Sequence, residues 1–206
     1  MPPARTAQRT APRTKPADQR RRDLLEGGLQ VFLERGVAAT TLEHITKAAG
    51  VAKGTFYLYF DSKEQLLVAL QREFEARMVQ RIEQAVLAAG EDWVARLDAW
   101  LDAALADYPS ERALHDVLFH HPALASHEAD VVDRAGAPDL AGSLTGLIGA
   151  GVAAGAFDTL DPELTAMLLC SALHRMFDRI WHRDQEIDPE HLAAATRQLF
   201  HRAVAV

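Results

Sequence analysis

The side chains best suited to chemistry crowd between residues 41 and 63, and the chemistry they suit is recognition. Tyr57 and Tyr59 offer phenolic hydroxyls that can hydrogen-bond to phosphate oxygens. Lys53 and Lys63 each stand at an expected helix start, where backbone N–H groups already favour anions. Gly54 has no side chain, so the backbone can approach a duplex closely there. Thr41 and Thr55 complete the set expected to face nucleic acid, while Phe56 and Phe60, at i and i+4, read as core.

Bond-making chemistry finds much less. Gly142-Ser143-Leu144-Thr145-Gly146 lacks the spacing of a nucleophile elbow, and no strand is expected before it. No glycine loop of the phosphate-cradling kind occurs, so neither an enzyme nor a cofactor is expected. His174, Asp178 and His182 recur at i, i+4 and i+8, a spacing that could hold a divalent ion. Arg175, Arg179 and Arg183 run alongside and favour a salt-bridged face instead, so no metal is expected. His115, His120 and His121 could line a pocket and titrate near neutral pH, although surface histidines at a helix end are commoner. The single cysteine, Cys170, excludes an intramolecular disulfide and fits a reducing, cytoplasmic setting. It reads as a small buried hydrophobe rather than a redox sensor.

The elements that must position the recognition residues follow from punctuation. One short helix can start at the threonines, with Thr40 and Glu43 forming a capping box or Thr41 as the other candidate cap, and stop at Gly50. A second short helix then begins near Ala52, and Asp61 or Ser62 caps a third beginning at Lys63. Two helices around a glycine turn describe a helix-turn-helix, whose second helix enters the DNA major groove. Upstream, Leu25, Leu29 and Phe32 mark a helix from Arg20 to Arg35 ended by Gly36. Gly27 and Gly28 in its middle imply either a closely packed neighbour or a weak helix. The net charge of −7 hides an asymmetry. Residues 1–22 carry seven basic side chains against Asp18, and residues 1–18 hold four of the nine prolines without apolar periodicity. They read as a disordered basic tail, either solubilising or touching phosphates, ahead of an acidic body.

Phe32-x-x-x-Gly36, Thr41-x-x-x-Ile45, Ala49-Gly50-Val51, Gly54-Thr55-Phe56-Tyr57-x-Tyr59-Phe60 and Ser62-Lys63-Glu64-x-Leu66 together resemble the signature of the TetR (tetracycline-repressor-like) family. The resemblance covers roughly residues 20–75. It implies an all-α homodimer, with a three-helix DNA-binding domain over 19–66 (motif about 41–60) and a larger helical domain over 67–206 for ligand binding and dimerisation. Small residues, mostly alanines, usually stand in the family where this chain has Gly27 and Gly28. An acid usually stands at His44, a Ser-like cap at Ala52, and often a polar or basic residue at Leu58. Ala52 cannot cap through its side chain.

Past Lys63 a long helix is expected over 63–88, carrying Leu66, Leu70, Phe74, Met78, Ile82 and Val86, and ended by Gly90. Helices at 91–107, from Pro109 through Phe119, and near 139–155 follow, with a short helix between loops over 122–140. The glycines crowded into the 139–155 helix permit close packing or leave space for a bound molecule. Asp161-Pro162 and Asp188-Pro189 open the last two helices, which the resemblance implies pair with their two-fold mates. Candidate pocket residues are the aromatics Phe74, Trp93, Trp100, Phe119 and Phe177, the aliphatics Met78, Leu97, Leu118, Ile148 and Met167, and the polar pair Cys170 and His174. Such a stripe is more often plain core; as a pocket it suits an apolar or aromatic molecule. The expectation is a ligand-responsive regulator, a repressor released from palindromic double-stranded operator DNA by a small-molecule effector. The competing reading is a helical ligand-binding or interaction module that does not read DNA. No apolar run is long enough to span a membrane.

Overall fold

The computed structural model describes residues 16–106, 112–119, 139–182 and 187–205. Among these residues every regular element is a helix, as expected. The chain divides into two compact units, Met1–Leu66 and Leu67–Val206. Most of the basic tail, the start at Pro109, His120 and His121, all but the last two residues of the 122–140 segment expected to hold a short helix, and Arg183 lie outside the described residues.

The first unit begins with α1 (Ala17–Arg35), three residues earlier than periodicity indicated. Ahead of Leu24 there is no apolar pattern to read, yet Arg20 N–H donates to Pro16 O and Asp18 places an acid in the first turn, where the helix dipole favours it. Leu24, Leu25, Val31 and Phe32 are buried. Next come α2 (Leu42–Ala48) and α3 (Lys53–Phe56). Gly50, at φ 65°, stands past the end of α2, with Val51 N–H donating to Thr46 O and Gly50 N–H to Lys47 O. That pair of bonds needs a left-handed residue at Gly50, which is where glycine costs least.

The paired glycines of α1 are explained by close approach. A Cβ on Gly27 would lie 2.7 Å from the Ala49 backbone nitrogen and 3.1 Å from the Ala48 carbonyl carbon. A Cβ on Gly28 would lie 2.5 Å from Cδ2 of Leu66. The neighbour at Gly27 is backbone and cannot turn aside; the one at Gly28 is the end of a leucine side chain.

α4 (Lys63–Ala88) is the long helix. Ser62 caps it, its Oγ accepting from Gln65 N–H at 3.1 Å, while Gln65 Oε1 accepts from Asp61 N–H at 3.0 Å. The second unit adds α5 (Trp93–Leu105), α6 (Arg112–Phe119), α7 (Leu140–Ala153), α8 (Pro162–His182) and α9 (Pro189–Ala203). Asp92, Asp139, Asp161 and Asp188 each accept backbone N–H groups in the first turns of α5, α7, α8 and α9. The core gathers Ile82, Leu97, Trp100, Leu101, Ile148, Leu173, Phe200 and their neighbours. Trp100 is completely buried, its ring 6.2 Å from that of Phe200 and its indole N–H donating to Ser143 Oγ at 3.2 Å. Of the two readings of the glycine-rich helix, close packing applies at Gly151, where a Cβ would lie 2.2 Å from the Phe157 ring. α9 is tied to α5 by ion pairs from Arg197 to Asp98 and Asp102 and by a hydrogen bond between His201 and Asp98.

Replacing Gly27 with alanine is expected to lower stability by about 1–3 kcal/mol, because a rigid backbone must move and overpacking outweighs the gain in helix propensity. Gly28→Ala should change it by less than about 1 kcal/mol, since Leu66 can rotate away. Urea titration of both full-length variants checks the contrast. Cys170 is half-buried and its thiol is pushed up to about 12, first by burial and then by the Asp139 charge. At pH 8 the folded protein should therefore react with iodoacetamide far more slowly than the urea-unfolded chain, by a factor of about 100 or more. Equal rates would show an ordinary, accessible thiol rather than a shielded one.

Candidate nucleic-acid interface

The recognition segment is built around two buried phenylalanines. Phe56 is completely buried and Phe60 5% exposed, their rings 5.8 Å apart, with the Arg21 guanidinium 5.7 Å from the Phe60 ring centroid. With that face committed to the core, Lys53 and Gly54 are exposed, Tyr57 is 50% exposed and Leu58 75% exposed, while Thr55 and Tyr59 are half-buried. Nothing lies within 4 Å of a Cβ built on Gly54. Six of the expected residues, Thr41, Lys53, Gly54, Thr55, Tyr57 and Tyr59, thus keep some or all of their surface in solvent.

Regular helix in this segment is shorter than expected. α3 ends at Phe56, and the chain continues as a turn with Leu58 N–H donating to Thr55 O, Tyr59 N–H to Phe56 O and Phe60 N–H to Phe56 O. A run of aromatic residues, which lose rotamer freedom in helices, explains the early end. Ala52 makes no side-chain cap, as its methyl group dictates; Thr55 N–H donates to its carbonyl instead.

The start of α2 resolves the choice between two threonines. Thr41 is the N-cap: its Oγ1 accepts from His44 N–H, and His44 Nδ1 accepts from Thr41 N–H, both at 3.3 Å. The imidazole takes the return role usually given to a glutamate, which makes it the unforeseen partner here. Its position three residues after Thr41 was the available signal. Thr40 is buried, donating from Oγ1 to Gly36 O at 2.8 Å, and Glu43 forms no box with it.

Lys63, expected at phosphates, has its Nζ donating to Val37 O at 2.7 Å, Thr40 O at 2.8 Å and Ala38 O at 3.4 Å. An ammonium has three N–H donors, and three carbonyls of the α1–α2 loop receive them.

The pocket candidates separate into groups. Leu97, Trp100 and Ile148 are core, with Met78, Trp93, Cys170 and Phe177 half-buried against it. Leu118 is 1% exposed and Phe74 half-buried, whereas the Phe119 side chain lies outside the described part. Met167, at 51% exposed, and His174, also exposed, do not line the core. The buried face of α8 is Ala166, Leu169 and Leu173, one helical step away from Met167. His115, expected at the surface or in a pocket, is buried, its ring 4.5 Å from Trp181 and 5.1 Å from His174. Asp178 pairs with Arg175, and among the described residues no three metal-ligating side chains gather. No helix among the described residues is long and apolar enough to cross a membrane.

Two family models match the chain. One described as bacterial regulatory proteins, tetR family, matches residues 24–70; one described as tetracyclin repressor-like, C-terminal domain, matches residues 94–200. The chain is 38% identical over 85 residues to the HTH-type transcriptional repressor DhaR of Mycobacterium sp. (strain GP1), covering 41% of this chain and 43% of that protein. It is 35% identical over 63 residues to the fatty acid metabolism regulator protein of Bacillus subtilis (strain 168), covering 31% and 32%. These matches span less than half of the relatives' own length. Among solved structures, the fatty acid degradation regulator FadR of Bacillus halodurans is similar with a TM-score of 0.70 and 24% identity over 91% of this chain and 96% of that one. FadR of Bacillus subtilis in complex with stearoyl-CoA is similar with a TM-score of 0.69 and 20% identity over 89% and 98%. With both domains matched, and the helix-turn-helix in place, the chain belongs to the TetR family of DNA-binding transcriptional regulators, which are not enzymes.

Proposed function

We propose that this chain is a cytoplasmic, homodimeric repressor that binds a palindromic operator and leaves it when a small molecule binds the second unit. The observation that carries the reading is the division of the recognition segment. Phe56 and Phe60 are spent on the core, while Lys53, Gly54 and Tyr57 remain open to solvent on a short element with few other uses. Lys53 would meet phosphate, Gly54 would admit the backbone to the groove, and Thr41, Thr55, Tyr57 and Tyr59 would supply hydroxyls to phosphates or base edges.

A helix-turn-helix needs two copies to address two half-sites, and a two-fold dimer reads a palindrome. Apolar side chains left in solvent on the last two helices support such pairing: Leu164 at 46%, Met167 at 51% and Leu168 at 61% exposed on α8, and Leu199 at 52% on α9. The half-buried Met78, Trp93 and Phe177 beside the core support an apolar effector. The stearoyl-CoA-bound neighbour makes long-chain acyl-CoA a sensible first probe, to be tried beside aromatic compounds. α4 carries residues of both units, and a coupling of about 1–3 kcal/mol through it would suffice for release.

Operator affinity measured against salt tests the interface. Lys53→Ala should weaken binding and reduce the log–log salt slope by about 0.9 per half-site, because one phosphate contact is lost in each. An unchanged slope would remove Lys53 from the interface. Leu168→Arg should convert the dimer to monomer in sedimentation velocity and abolish stable operator binding; a dimer that persists would place the two-fold contact elsewhere.

A further inference from the structure

The recognition element α3 is four residues long, too short to hold its own direction. Its orientation is set by what flanks it, α2 before and the first turn of α4 after. α2 is positioned at its far end by the backbone contact of Ala48–Ala49 with Gly27, and at its near end by the loop from Gly36 to Thr41. That loop is organised around its carbonyls. Thr40 N–H donates to Val37 O at 3.3 Å and Thr40 Oγ1 to Gly36 O at 2.8 Å. The Lys63 ammonium then gathers Val37 O, Ala38 O and Thr40 O from the first turn of α4. One side chain therefore joins the two flanks of α3 across 23 residues of sequence.

We propose that Lys63 is a positioning residue for operator recognition: its ammonium binds the α1–α2 loop carbonyls, fixes the entry of α2 relative to α4, and thereby aims α3, with no contact to phosphate. The proposal rests on the operator-binding reading but differs from it in what it asks of this cation. A lysine suits the task because its donors diverge from one point, as three convergent carbonyls require. The planar fork of an arginine cannot reproduce that arrangement. A phosphate contact makes the opposite demand, since arginine serves it at least as well as lysine.

Two measurements on the full-length protein decide the matter. In 15N-labelled wild type without DNA, the Lys63 ammonium should give a resolved 15Nζ–1H signal, identified by its loss in Lys63→Arg. The hydrogen bonds slow its exchange, and operator should leave it in place. A Lys63 signal that appears or shifts only on adding operator would overturn the proposal. In salt titrations Lys63→Ala should bind operator about tenfold or more weakly with the salt slope of wild type, and Lys63→Arg should not recover the loss. Wild-type affinity in the arginine variant, or a slope reduced by about 0.9 per half-site in the alanine variant, would restore Lys63 to the phosphates. Should wild type bind no operator at any salt, the regulator reading fails, and the DNA-free signal still decides the carbonyl contact on its own.

Discussion

The DNA-binding unit depends on the approach of two backbones at Gly27. Because no Cβ stands there, the end of α2 can rest directly on α1, with Ala49 buried at the junction. Van der Waals attraction falls steeply with distance, so contact at this range specifies position better than a looser leucine interface would. The placement of the Gly50 turn, of Val51 after it and of the first residue of α3 all follow from where α2 stops. A glycine that weakens α1 as an isolated helix is what lets the three helices form one object.

Around that contact, polar groups finish what packing begins. Backbone carbonyls of the α1–α2 loop would otherwise depend on water, and they are taken up by Thr40 and Lys63. The orphan N–H groups at the start of α2 find Thr41, and those at the start of α4 find Ser62. Each such bond contributes about 1 kcal/mol, small beside the burial of Phe32, Ile45 and Phe56. Their value lies in direction: they determine which way a four-residue helix points once the apolar side chains have collapsed.

Much of this was legible from residue type and spacing. Gly50 as a stop, Phe56 and Phe60 as core, Ala52 as a missing side-chain cap, and Asp161 and Asp188 as helix starts all follow from local rules, and the structure agrees. What escaped reading required a partner distant in sequence. Gly27 and Gly28 were ambiguous until Ala48, Ala49 and Leu66 were seen beside them. The sequence neighbours of Lys63 likewise say nothing of the carbonyls at 37, 38 and 40 that its ammonium reaches. Met167 shares a helical pattern with Cys170 and Leu173, and only the packed core shows which side of α8 faces inward. The early end of α3 has another origin: strings of aromatics satisfy a helix template and a turn about equally well.

The two units also differ in how soon a growing chain can complete them. All the partners described for the first unit lie at or before Leu66, so its contacts can close before the second unit has been made. The second unit must wait. Phe200 and Val204 are fully buried in its core, Asp158 N–H donates to Val204 O, and Arg197 and His201 reach back to Asp98. Until those residues arrive, the face of Trp100 that meets Phe200 lacks its cover. Synthesis therefore finishes the first unit well before the second.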